Sequence, residues 1–190
     1  MIDRRDLPLF AFGDALRAAR RQRRTIVRRS VAIGIGLVCV GLTIACPPRP
    51  RLVWNASASA PIGLYAVAPG DTVARGDMVI ARTPISVREM AARRHYIPAN
   101  VPLVKRVAGV PGNRICGIGN GVFVDGRRVA TRLAHDASGR PLPWWTGCRT
   151  LTDGALLLLM AETPDSFDGR YFGPTSASDV VGKATALWVR

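Results

Sequence analysis

The run Val101-Pro102-Leu103-Val104-Lys105-Arg106-Val107-Ala108-Gly109-Val110, closed by Pro111-Gly112-Asn113, decides how the second half of this chain is read. It is strongly apolar, rich in β-branched residues and ended by a turn pair, which predicts a buried strand. Successive side chains on a strand point to opposite faces. Lys105 therefore shares a face with Leu103 and Val107, and Arg106 points away with Val104. Outward from this run the same pattern repeats in shorter pieces. Ile62–Val67 leads into Pro69-Gly70-Asp71, and Asp77–Arg82 follows a second Gly-Asp turn. Arg114–Ile118 and Val122–Val124 flank Gly119-Asn120-Gly121, with Asp125-Gly126 beyond them, and Asn-Gly and Asp-Gly are strong hairpin signals. Ala155–Met160 and Thr185–Val189 read as two more buried strands, separated by an irregular stretch at 161–183. The segment 86–96 carries a helix-like pattern, with Val87, Met90 and Ala91 on one side, or is a surface insertion. The fold class predicted is mainly β, an antiparallel sheet or barrel-like domain.

Lysine is scarce in this basic chain. It has 27 basic and 13 acidic residues, a net charge of +14, yet its lysines are Lys105 and Lys183 alone. Arginine does not lose its proton in a protein, whereas a buried lysine can. Lys105 on an apolar face has its charged form penalised and its pKa lowered. A neutral amine there could take a proton from a serine hydroxyl, the general way a weak oxygen nucleophile is activated. A lysine whose stem runs along the sheet and puts its ammonium in water satisfies the same pattern.

Charge at this level raises the question of nucleic acid. Its distribution answers against it: residues 1–29 hold nine arginines and three aspartates, and the rest is spread without a basic run among aromatics. No nucleic-acid partner is expected. From Ser30 to Pro48 the chain carries no charge over 19 residues. As a helix this would rise roughly 28 Å, close to the thickness of a bilayer's hydrocarbon core. Arg20, Arg21, Arg23, Arg24, Arg28 and Arg29 stand before it and mark that end as cytoplasmic. The organisation predicted is a basic cytoplasmic tail at 1–29, a transmembrane helix at 30–48 stopped by Pro47-Pro48, and a domain at 49–190 outside the membrane. A cleaved signal peptide fits less well, because the basic region is long and Ala56-Ser57-Ala58 lies well past the apolar run. Cys39 and Cys46 read as apolar fillers. Cys116 and Cys148 lie in the outer domain, where an oxidising compartment permits a disulfide, and their spacing fits no zinc pattern.

Among groups able to do chemistry, His95 and His135 sit in polar segments with nothing around them to fix their orientation. No HExxH, clustered metal-ligand or phosphate-loop motif appears, so neither metal nor cofactor is expected. Ser59, followed by Pro61 and Gly63 in a bend just after the apolar span, is the serine that could partner Lys105.

Together these pieces resemble the signal peptidase I superfamily of Ser/Lys serine peptidases, and within it the TraF-type pilin-processing peptidases of conjugative transfer. Ser59-Ala60-Pro61-Ile62-Gly63-Leu64-Tyr65 is similar to that family's nucleophile box. Val104-Lys105-Arg106-Val107 with Pro111-Gly112 is similar to its general-base box, and Ser166-Phe167-Asp168-Gly169-Arg170 to its third box. The Gly-Arg-Pro-Leu-Pro run at 139–143 and the two outer cysteines also match. The resemblance implies Ser59 as nucleophile and Lys105 as general base. It implies Ser57 as an oxyanion donor beside the Ser59 N–H, Ser166 as the residue orienting the lysine, and Asp168 with Arg170 as a supporting pair. A plain surface turn is the other reading of that pair. Gly169 stands where the family usually has serine, a change expected to matter little, and Asn113 replaces an acid often found after Pro-Gly.

What the resemblance implies is a single-pass enzyme of a bacterial inner membrane, its catalytic domain periplasmic, working at the lipid surface. Its partner would be a pro-pilin or another precursor bearing a signal peptide, cut beside small residues and in some relatives circularised. A general secretory signal peptidase and a non-catalytic membrane scaffold of a pilus or secretion complex are the alternatives.

Overall fold

The computed structural model describes residues 8–46 and 50–190, which fall into two units, Met1–Pro48 and Arg49–Arg190. Among its described residues the first unit holds one helix, α1, Pro8–Ala45. It begins well before the apolar run and carries the whole arginine cluster, where no secondary structure was assigned from sequence. Arginine and alanine, the main residues of 15–24, are both good helix formers, which accounts for the extension. At 38 residues α1 is about 57 Å long. α1 is long enough to cross a membrane and contains an 18-residue stretch apolar enough to do so, with mean hydropathy 1.7. Side chains such as Ile33, Leu37, Val40 and Ile44 are exposed along it. Pro47 and Pro48, the expected stop, lie outside the described residues.

The second unit is built from antiparallel strands in two sheets. Its elements are β1 (Leu52–Asn55), β2 (Gly63–Ala68), β3 (Met78–Ala81), α2 (Ile85–Arg93), β4 (Leu103–Gly109), β5 (Arg114–Ile118), β6 (Gly121–Val124), β7 (Arg127–Thr131), β8 (Gly147–Thr150), β9 (Leu157–Leu159), α3 (Gly169–Phe172) and β10 (Val180–Val189). One sheet has six strands in the order β1-β2-β10-β3-β4-β9, the other four in the order β7-β6-β5-β8. β4 lies one strand in from the edge of the larger sheet, between β3 and β9, pairing Lys105 with Val79 and Val104 with Ile80. The alternation read from the sequence is the one observed. Val104 joins Tyr65, Ile80 and Met160 in one apolar cluster, while Val107 joins Val79, Ala81 and Leu158 in another. β9 is buried throughout. Leu157 and Leu159 pack into the core of the smaller sheet and Leu158 into that of the larger, so three consecutive leucines join the two layers. The Asp125-Gly126 hairpin turns as predicted, with both residues at positive φ.

Differences from the sequence reading lie at the edges. β1, β7 and β8 are short, largely polar or exposed strands with no clear period, and only their pairing identifies them. The stretch 161–183 is more ordered than expected, holding α3 and a 3₁₀ turn at Ala177–Asp179 before β10 opens at Val180. The segment 86–96 is largely helix, α2, and buries Ala91. Cys116 and Cys148 face each other in register across β5 and β8, with Cα atoms 4.1 Å apart, and are joined as a disulfide.

Gly63 sits where β2 passes β10 so closely that a Cβ would lie 2.0 Å from the Trp188 carbonyl oxygen, at φ +154°. Backbone on both sides leaves no side chain to yield. Gly63→Ala is expected to cost about 2 kcal/mol or more, read as a lowered melting temperature of the full chain in detergent; an unchanged Tm would show that the two strands separate freely.

Candidate active site

The loop between β1 and β2 carries Ser57 and Ser59, and a buried asparagine shapes it. Asn55, the last residue of β1, directs its amide nitrogen to the carbonyls of Ser57, Ala60 and Pro61 at 3.0, 3.1 and 3.0 Å, and its Oδ1 accepts the Ser57 N–H at 3.1 Å. From the other end Tyr65 donates its hydroxyl to the Pro61 carbonyl at 2.7 Å. A loop with its carbonyls turned inward onto one side chain has little freedom left, and Ser59 is held half-buried at its tip. Its hydroxyl lies 3.0 Å from the Ser57 hydroxyl, which also accepts the Ser59 N–H at 3.3 Å.

Lys105 reaches this loop from β4. Its Nζ donates to Ser59 Oγ at 2.8 Å and to Ser166 Oγ at 2.8 Å. The residue is 2% exposed, which disposes of the reading in which its ammonium reaches water. Burial is the main reason its pKa falls to about 8; Asp168 pulls it back up, Arg170 pushes it down, and Asp165 raises it again. A hydroxyl oxygen on each side satisfies the amine without neutralising it, so desolvation is left to act.

Asp168 and Arg170 form no surface pair. They are 0% and 1% exposed. The guanidinium grips both carboxylate oxygens, Nε to Oδ1 at 2.8 Å and Nη2 to Oδ2 at 3.0 Å. Asp168 caps α3 through the Arg170 N–H and accepts the Met160 N–H at 2.9 Å. Arg170 donates onward to the carbonyls of Met160 and Pro164. Neither side chain hydrogen-bonds to Lys105; what they fix is the turn at 160–168, which delivers Ser166. Removing either partner would strand the other's charge in the interior, at a cost of about 3–5 kcal/mol.

Gly169 corrects the expectation that its departure from serine matters little. A Cβ there would stand 2.7 Å from the Leu158 carbonyl oxygen, so α3 packs onto β9 at a distance only glycine allows. Asn113 takes over the Pro-Gly turn instead of an acid, its Oδ1 accepting the Val110 N–H at 2.9 Å.

A cleft of about 640 Å³ opens over Ser59 and Lys105. Trp54, Ile97, Val101, Leu103 and Phe167 give it mostly apolar walls, with Thr163 and Asp165 as polar exceptions. Its site face therefore joins Ser57, Ser59, Lys105 and Ser166 in one hydrogen-bonded chain, with Asp168 and Arg170 behind it. His95 and His135 are exposed and take no part in the cleft.

The model for signal peptidase, peptidase S26, matches residues 23–189. The chain belongs to the S26 signal peptidase family. A probable conjugal transfer protein TraF of Sinorhizobium fredii is 35% identical over 173 residues, covering 83% of this chain and 89% of that protein. A plasmid transfer protein TraF of Escherichia coli is 34% identical, over 67% of this chain and 77% of its own. A signal peptidase I crystal structure from Enterococcus faecalis is 20% identical, covering 60% of this chain and 98% of that one, with a TM-score of 0.36.

The sequence does not single out Asn55, four residues before Ser59. An asparagine at a strand end before a Ser/Ala/Pro bend is an ordinary turn residue, and only burial reveals its four bonds. Tyr96, on the cleft wall, lies at the end of the 86–96 segment, off the apolar side formed by Val87, Met90 and Ala91, so the pattern there gives no sign of it.

The lysine costs the S26 domain stability. Below pH 8 Lys105 is charged both folded and unfolded, and the fold bears the full cost of burying the ammonium. Between about 8 and the unfolded value of 10.5 only the unfolded chain keeps the proton, so stability rises with pH. Lys105→Met is expected to stabilise the full chain by about 1–3 kcal/mol at pH 7, with the gain shrinking by pH 10. Thermal melts at the two pH values measure it, and a destabilised variant at pH 7 would contradict it.

Proposed function

We propose that the chain is a membrane-anchored serine endopeptidase that matures precursor polypeptides, a pro-pilin of conjugative transfer above all, through a Ser59/Lys105 dyad. The observation that carries the reading is the buried amine of Lys105 at 2.8 Å from a serine hydroxyl that opens onto a cleft.

In the proposed reaction neutral Lys105 takes the Ser59 proton as Oγ attacks the scissile carbonyl. Ser166 holds Nζ on the line of transfer. The tetrahedral oxyanion is received by the Ser57 hydroxyl and the Ser59 N–H, which turn from each other to the substrate; a donor of this kind contributes about 3–4 kcal/mol at the transition state. The lysine then gives its proton to the departing amine, leaving an ester on Ser59. Lys105 next deprotonates water, whose attack releases the new carboxylate and returns the proton to Ser59. An amine of the same polypeptide in place of water would close a ring instead, so hydrolysis and cyclisation share every protein group.

The arginine cluster before the apolar run supports a cytoplasmic N-terminus and a peptidase domain on the periplasmic side of an inner membrane. The disulfide between Cys116 and Cys148 suits that compartment. Similarity to conjugal transfer proteins favours a pilin precursor over the general run of secreted proteins. A scaffold without activity would have no use for a lysine whose pKa is drawn down to about 8 at a cost in stability.

The test is processing of the pro-pilin from the same transfer system in membranes carrying wild type, Ser59→Ala or Lys105→Ala, read by mass spectrometry. Wild type should trim the precursor and both variants should fail while accumulating normally. A product lighter by one water than the linear form would identify ring closure. Processing at the wild-type rate by either variant would remove the dyad and leave the scaffold.

A further inference from the structure

The insertion between β3 and β4 does more than connect them. After α2 the chain folds onto the 134–141 loop, and Asp136 is where the two meet. The Tyr96 hydroxyl donates to Asp136 Oδ2, and Arg140 Nε donates to the same oxygen at 2.7 Å. Asp136 Oδ1 accepts the N–H groups of Ser138 and Arg140, each at 2.9 Å. Arg94 donates to the Pro141 carbonyl at 2.7 Å, Arg140 returns a bond to the Arg94 carbonyl at 3.3 Å, and the Arg140 guanidinium lies 5.6 Å from the Tyr96 ring. Hydrogen bonds from Tyr96, Arg140 and Ser138 hold the Asp136 carboxyl well below the usual carboxylate range. The Gly-Arg-Pro-Leu-Pro run thus has a local purpose: it presents Arg140 and the Pro141 carbonyl to the insertion.

The other side of Tyr96 faces the cleft. Its ring packs on Phe167 at 4.9 Å between centroids, and Phe167 stacks on Tyr171 at 5.8 Å. Phe167 stands between Ser166, which holds the lysine amine, and Asp168 of the buried pair. Tyr96, Phe167, Ile97 and Val101 all line the cleft. A tyrosine with its hydroxyl tied to a carboxylate and its ring laid against a second aromatic cannot swing away. It is a fixed apolar surface beside the reacting groups.

The geometry points to Tyr96 and Phe167 as a specificity-determining subsite for a branched aliphatic or aromatic side chain of the precursor, flanking the small residues at the cut, with Asp136 as the residue that positions Tyr96. This rests on the endopeptidase reading and names its substrate more closely. A wall of this chemistry gains affinity by burying apolar surface, and rigid aromatic rings do so at little entropic cost. A glycine in the same place would leave the rings wet.

The experiment uses the full chain in detergent micelles with two probes. One is a penem small enough to acylate Ser59 without reaching Tyr96. The other is a set of fluorogenic peptides cut between alanines, each with leucine or glycine at one position within three residues of the cut. Wild type is expected to prefer leucine at one such position by about tenfold or more in kcat/KM, mostly through KM. Tyr96→Ala should erase that preference while penem acylation stays within about twofold of wild type. Tyr96→Phe, which keeps the ring and breaks its bond to Asp136, should retain the preference but weaken it severalfold. The subsite is overturned if wild type shows no leucine preference, if Tyr96→Ala keeps it, or if Tyr96→Ala loses acylation in step with peptide cleavage, which would make the wall a folding element only. Failure of wild type to be acylated at all would instead sink the endopeptidase reading beneath it.

Discussion

A primary amine held out of water between two serine hydroxyls sets the terms for the rest of this structure. Lys105 can occupy that place only because β4 is flanked by β3 and β9 and its side chain emerges on a face otherwise filled by Val79 and Val107. Burial works against the ammonium, and the hydroxyls of Ser59 and Ser166 give the nitrogen partners without offering a counter-charge. The carboxylate that acts most strongly on it, Asp168, is occupied by the Arg170 guanidinium and two backbone N–H groups. That division of labour explains why a fully buried ion pair lies behind the site. An unpaired Asp168 would hold the lysine in its charged form; the paired one holds the loop.

The loop that carries Ser59 shows the same logic in backbone terms. Asn55 gathers its carbonyls, Tyr65 fastens Pro61, and Gly63 lets β2 run against β10 without a gap. Bonds to the carbonyls of Ser57, Ala60 and Pro61, on both sides of Ser59, restrain its distance to Lys105. Pre-organised groups of this kind spare a reaction the cost of ordering them at the transition state. Core leucines in β9, aromatic contacts around Phe167 and the loop at 160–168 all serve one end, a fixed amine facing a fixed hydroxyl.

Much of this was legible from the amino acids. The alternation in 101–110 assigns Lys105 to the face it occupies, and the three boxes name the residues that the fold draws together. What escaped the sequence has physical causes. β1, β7 and β8 are stabilised by pairing and a disulfide, not by an apolar face, so no period announces them. Asp168 and Arg170 read equally well as a surface turn, because their burial depends on α3 packing onto β9. Gly169 looks like a tolerated substitution until the Leu158 carbonyl is placed beside it. Asn55 and Tyr96 act through bonds to partners that only the folded chain brings near. Apolar length marks only the second part of α1; its arginine-rich first part is helical for a different reason, the intrinsic preference of its residues.

The family is shown by the match over residues 23–189, and the chemistry stands or falls with the protonation of one side chain. The direct measurement is the rate at which a penem acylates Ser59 as a function of pH. With Lys105 as the base and its pKa at about 8, the rate should climb about tenfold per pH unit below that value and level off above it. A rate that ignores pH across this range, or one still climbing toward the ordinary lysine value of 10.5, would show that the buried amine is not the group that activates the serine.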